Sequence, residues 1–119
     1  LAAELRRLIG PYEILDLRDR EKIVLKIKAW EQGTILIHPR YLGAPEEKEI
    51  PALRVHLKEG VKPLPPNYYD ITSKTLQAQL LPMLADRGFE IYDYEITKYG
   101  EAPRARFTVA RIPPPGVVR

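Results

Sequence analysis

The sequence predicts an α+β fold, an antiparallel sheet of about five or six strands with two helices packed on its aliphatic face. Three observations predict it. Apolar and polar residues alternate with a period of two in Lys22–Arg40, Ala52–Lys58 and Phe89–Ile112, which is the signature of half-buried strands. Only Leu1–Ile9 and the segment after Asp70 carry apolar residues at helical spacing. Turn chemistry rather than helical crossovers separates most of the strand-like runs, so they form meanders.

Leu1–Ile9 reads as a short helix with Leu1, Leu5, Leu8 and Ile9 near one face, stopped by Gly10-Pro11. Tyr12–Arg18 reads as a strand with Leu15 and Leu17 facing the core, paired to Ile23 and Leu25 across the turn Asp19-Arg20-Glu21. Lys22–Arg40 reads as a hairpin around Glu31-Gln32-Gly33, because two apolar runs flank a short loop that contains glycine. One face then holds Ile23, Leu25, Ile27, Ala29, Ile35 and Ile37; the other holds Lys26, Lys28, Trp30 and His38.

Pro39–Pro51 is a loop carrying Tyr41 and the acidic cluster Glu46, Glu47 and Glu49. In Ala52–Lys58, Leu53, Val55 and Leu57 point to the core and Arg54, His56 and Lys58 point outward. Gly60–Asn67 has three prolines in eight residues and is an extended connector. Asp70 or Thr72 caps the next helix, whose buried stripe is Leu76, Leu80, Met83 and Leu84, kinked at Pro82 and ended by Gly88. Phe89–Tyr99 and Arg104–Ile112 close the fold as a hairpin pairing Ile96 with Phe107 and Tyr94 with Val109. Residues 1–112 form one domain, and 113–119 form a flexible proline-rich tail.

At 119 residues the chain suits a single core. It has no cysteine, which excludes disulfides and thiolate metal sites and makes the cytoplasm the default location. No apolar run reaches the roughly 20 residues that span a bilayer, so no membrane partner is expected. Abundant charge, 12 prolines, one Met and one Asn fit a thermophile. The net charge of +3 matters less than its placement: four arginines and no acid lie between Arg104 and Arg119.

The expected site is a basic and aromatic sheet face made of Lys26, Lys28, Trp30, His38, Arg54, His56 and Lys58. Lysines and arginines suit phosphates, and an indole suits flat bases. A solvated sheet face whose lysines guard against edge pairing is the plainer alternative. Tyr68-Tyr69, on the proline-rich connector, could clamp bases or staple the helix entry. Tyr41, Arg104 and Arg106 complete the candidate set. His38 and His56 lack the companions a metal site needs, Gly33, Gly43 and Gly60 stand alone rather than in a phosphate loop, and Ser73 is the only serine. No cofactor and no catalysis are therefore expected.

The lysine- and Trp-bearing meander, the proline-rich Tyr-Tyr connector and the covering helix resemble the ThermoDBP group, single-stranded DNA-binding proteins of hyperthermophilic archaea that do not use the OB fold. The resemblance is architectural. It implies a cleft between sheet and helices that takes single strands with little sequence preference. The leucine-zipper extension of the founding member is not visible here. The function expected is thus single-stranded nucleic-acid binding, with single-stranded DNA the first expectation, an RNA-directed role left open by the residues, and room for a homo-oligomer. A protein–protein adaptor using the same Trp and Lys surface is the second reading.

Overall fold

Lys22–Ile37 is one continuous strand of 16 residues, β1, and not a hairpin. The computed structural model describes residues 5–101 and 104–113. Gly33 suggested a turn, yet it keeps an extended backbone inside β1. The reason for glycine there is close approach. A Cβ at Gly33 would lie 2.5 Å from the Arg6 carbonyl oxygen and 2.7 Å from the Leu8 side chain. Gly33→Ala is accordingly expected to lower stability by about 1–3 kcal/mol by overpacking. Chemical denaturation checks this, and an unchanged midpoint would count against the close packing.

β1 pairs on one side with β2 (Lys48–Leu57) and on the other with β4 (Asp93–Tyr99). β2 in turn pairs with β3 (Tyr68–Ile71), and β4 with β5 (Arg106–Ile112). The result is a five-stranded antiparallel sheet in the order β3-β2-β1-β4-β5. The strand predicted over 52–58 thus joins the main sheet, starting earlier at Lys48 and shortening the expected loop. β4 takes only Lys22–Lys26 of β1, whereas β2 takes Ile27–Ile37. β1 is therefore shared between two half-sheets.

A bulge at Lys28 separates the halves: Ile27 pairs with Leu57, and Ala29 with His56. One extra residue reverses which side chains face the core. Leu25 and Ile27 lie in the main core with Leu53, Val55 and Leu57, as expected. Beyond the bulge Trp30 turns to that core, and Ile35 turns away, into a second small core with Leu8 and Ala52. Ile37 packs against that second cluster too. The single aliphatic face expected over 23–37 is thus divided between two sides.

One α-helix, α1 (Lys74–Leu84), covers the main core with Leu76, Leu80 and Leu84. Its cap is Ser73, whose hydroxyl accepts from the Leu76 N–H at 3.3 Å, rather than Asp70 or Thr72. Asp70 is instead consumed by β3, a strand the sequence reading missed. Pro82 sits in the last turn of α1, which ends at Ala85, ahead of Gly88. A 3-10 turn, Phe89–Ile91, replaces the expected start of the next strand. β4 pairs with β5 two residues from the expected register, Ile96 with Val109 and Tyr94 with Arg111. A shift of two preserves the faces, so Tyr94 and Ile96 remain buried.

The expected N-terminal helix is not found in its described part. Residues 5–9 are not helical and make one isolated bridge, Arg7 to Thr34, and residues 1–4 lie outside the described residues, as do 102–103 and most of the expected tail, 114–119. Nor is Tyr12–Arg18 a strand paired to the start of β1; Ile14 makes only an isolated bridge, to Asp70. Residues 6–15 form a strap instead. The Thr34 N–H donates to the Arg6 carbonyl and the Leu8 N–H to the Thr34 carbonyl, at 2.9 and 2.8 Å, along one edge of β1. Pro51 stands opposite Thr34, where the missing N–H leaves no ladder bond broken. The strap then crosses the β1-β2-β3 half and bonds the outer edge of β3: Asp70 N–H to the Glu13 carbonyl, 2.7 Å, and Leu15 N–H to the Asp70 carbonyl, 3.0 Å. Leu15 and Leu17 continue into the main core. At the other end of the sheet α1 lies against β5, and Gln79 Nε2 donates to the Phe107 carbonyl at 2.7 Å.

Candidate functional site

The side of the sheet away from α1 has two parts. Over β1-β2-β3 the strap covers it; over β1-β4-β5 Lys22, Val24, Lys26, Tyr99, Arg106 and Thr108 are exposed, and Thr97 at the centre is buried among its neighbours.

The covered part holds several expected ligand residues, already engaged. Arg54 is 4% exposed. Its Nε and Nη2 reach the two carboxylate oxygens of Asp70 at 2.7 and 3.1 Å, and Nη1 donates to the Ile9 carbonyl at 2.7 Å. Burial opposes the Arg54 charge, but the bond to Asp70 and its negative charge prevail and raise the guanidinium above its ordinary pKa. The Tyr68 ring lies 4.0 Å from that guanidinium, and its hydroxyl donates to the Pro11 carbonyl. His56 bonds Glu31 at 3.1 Å and meets Tyr68 edge-on. Asp70 also accepts from the Glu13 N–H at 3.0 Å. Cation, acid, ring and strap form one closed network, with the guanidinium sealed beneath it.

The remaining expected residues are dispersed. Trp30 faces α1, half-buried, with Nε1 donating to the Leu84 carbonyl at 3.1 Å. Tyr69 packs on the main core beneath the Lys62 ammonium. The Lys58 ammonium donates to the Glu90 carbonyl. His38 bonds the Glu46 carbonyl at 3.1 Å, and Tyr41 stands exposed in the loop before β2. Lys26 and Arg54 emerge on the same side of the sheet, yet the continuous basic face from Lys26 to Lys58 does not form, because the strap seals its middle.

The open part assembles a different set. Reading across β1, β4 and β5, Lys22 stands beside Thr97 and Thr108, Val24 beside Glu95 and Ala110, and Lys26 beside Asp93 and Ile112. Tyr99 and Arg106 form the last row, both exposed, with Tyr99 48% exposed. Lys22 reaches Glu95 at 3.4 Å and Lys26 reaches Asp93 at 3.7 Å, both pairs in solvent. Lys28 projects from the bulge into solvent beside this face. Of the expected residues, Lys26 and Arg106 lie on this face, at its opposite ends, with Lys28 beyond Lys26 and Arg104 just before β5, both exposed. Lys22, Tyr99 and Thr108 were missed, although the alternation of Asp93, Glu95, Thr97 and Tyr99 already put that tyrosine on the outer face.

Among the described residues no group of three or more His, Asp or Glu side chains could hold a metal ion. Among the same residues no helix is long and apolar enough to cross a membrane. Comparison of the chain with protein-family models, with curated proteins and with solved structures gives no match.

Proposed function

We propose that the protein is a binding module for single-stranded nucleic acid, without catalysis, and that the strand lies on the open face of β1-β4-β5. The observation that carries this reading is the uncovered sheet face on which Tyr99 stands beside Arg106, with Lys22, Lys26 and Lys28 toward β1. A tyrosine on an open sheet offers a stacking surface that every base can use. The cations meet the phosphates, and nothing on the face demands a particular sequence. DNA and RNA are equally served, since no group on the face singles out the 2′-hydroxyl.

Asp93 and Glu95 lie within the face and reduce its net charge, so affinity should be modest and sharply salt-dependent. For three phosphates held, log affinity should fall by about 2 per log unit of salt on a single strand. Fluorescence anisotropy with matched DNA and RNA oligomers tests this. Tyr99→Ala should weaken binding roughly tenfold, the loss of one stack of about 1–3 kcal/mol. Absence of binding at low salt, or a Tyr99→Ala variant with unchanged affinity, would overturn the proposal. The same two acids favour the second reading, a protein partner with charges of both signs. An interaction that survives high salt, together with silent oligomer titrations, would select it.

A further inference from the structure

Ile71 of β3 and Phe107 of β5 belong to strands at opposite ends of the sheet, yet they line one cleft. The sheet therefore curls toward α1, and the chain at Leu15–Leu17 fills the seam between its two end strands without closing it. What remains is a cleft of about 400 Å³, a size that holds small organic ligands. Its walls are mainly apolar, from Leu15, Leu17, Ile71, Leu76 and Phe107, and Lys98 sits among them.

Lys98 is the unusual member. It is 9% exposed, on the core-facing side of β4. Its ammonium donates to the Leu17 carbonyl at 2.8 Å and to Glu101 at 3.1 Å. An ammonium has three donors, and among the described residues these two bonds leave one for an incoming acceptor. The Glu101 side chain is 63% exposed, reaching in from solvent. Lys74 and Asp16 also line the cleft, both exposed at its edge, so that with Glu101 two acids stand against two cations and Lys98 is the buried charge among them. A neutral apolar ligand would leave the remaining Lys98 donor unused, and a cationic one would bring a like charge against the buried ammonium.

We infer that this cleft binds a small apolar monocarboxylate, its hydrocarbon against Leu15, Leu76 and Phe107 and its carboxylate against Lys98. The site is separate from the open face of the sheet and does not depend on the nucleic-acid reading.

Octanoate, 1-octanol and octylamine, which share a chain and differ in charge, form the test. Each is titrated into the full chain while backbone amide resonances are followed. Octanoate is expected to shift the amides of Leu15, Ser73 and Ala105. Octanol should bind roughly tenfold more weakly, since its hydroxyl can accept from the ammonium but brings no opposite charge to it. Octylamine should not bind. Ala105→Trp, which places an indole in the mouth of the cleft, should abolish octanoate binding with the melting transition retained. Lys98→Met should bring octanoate down to the affinity of octanol. If Lys98→Met fails to fold, the ligand series on the unaltered chain and the Ala105→Trp variant still decide. Octanol binding as tightly as octanoate, an undiminished affinity in Ala105→Trp, or no shift with any of the three would overturn the inference.

Discussion

Asp70→Ala should cost about 3–5 kcal/mol of folding stability, the penalty for leaving one member of a buried ion pair uncompensated. Arg54 cannot shed its proton to escape, because a guanidinium stays charged in any protein environment. Nor can it swing into water, with Tyr68 stacked on it and the Ile9 carbonyl holding Nη1. The change also removes the acceptor of the Glu13 N–H, loosening the strap over the same site. Against a typical total of about 5–15 kcal/mol, such a loss brings the chain near unfolding. Urea denaturation measures it. The double variant Arg54→Met, Asp70→Leu should recover much of the loss, since an apolar pair of similar bulk needs no counter-ion. Exposed pairs offer the contrast: removing Glu95 from Lys22 should change stability by less than about 1 kcal/mol. An Asp70→Ala midpoint as little changed as that of Glu95→Ala would refute the buried-pair account.

Trp30→Ala should be the other costly change, at roughly 3 kcal/mol for an indole lost from the edge of the main core. The Leu84 carbonyl also loses its donor at the end of α1. The measurement that separates this role from a ligand platform is paired. Stability should fall, while the folded fraction binds oligomers with the affinity of the unaltered chain. A stable variant with weakened binding would return Trp30 to the ligand surface.

The period-two pattern made the strands legible, and with them the burial of Leu25, Ile27, Leu53, Val55 and Leu57 beneath Leu76, Leu80 and Leu84. Three features were hidden for physical reasons. A bulge adds a residue without leaving a chemical mark, so nothing at Lys28 announces that Trp30 and Ile35 have changed sides. Gly33 fits a turn and a close contact equally well, and only Leu8 and the Arg6 carbonyl, far off in sequence, decide between them. The alternation that points Arg54 away from the main core is real, but it cannot show that Ile9–Pro11 and Tyr68 cover that side. The candidate site suffered most, since solvent access depends on such long-range cover. Lys26, Lys28 and Arg106 remained on an open surface, whereas Arg54, His56 and Tyr68 joined the network beneath the strap.

The strap also sets an order of events during synthesis. Glu13 and Asp70 are 57 residues apart in sequence, so the strap leaves the ribosome before β3 and cannot dock on that strand until it has followed. At about 5–20 residues per second, that is a wait on the order of seconds. During it the strap has no outer edge of β3 to bond, and Thr34 has to meet Arg6 and Leu8 without help from Asp70. Contacts so distant in sequence form slowly in any case. The strap is thus made well before the strand that holds its far end. A nascent chain halted before Tyr68 should leave residues 6–15 open to protease, and one released after Ile71 has emerged should protect them.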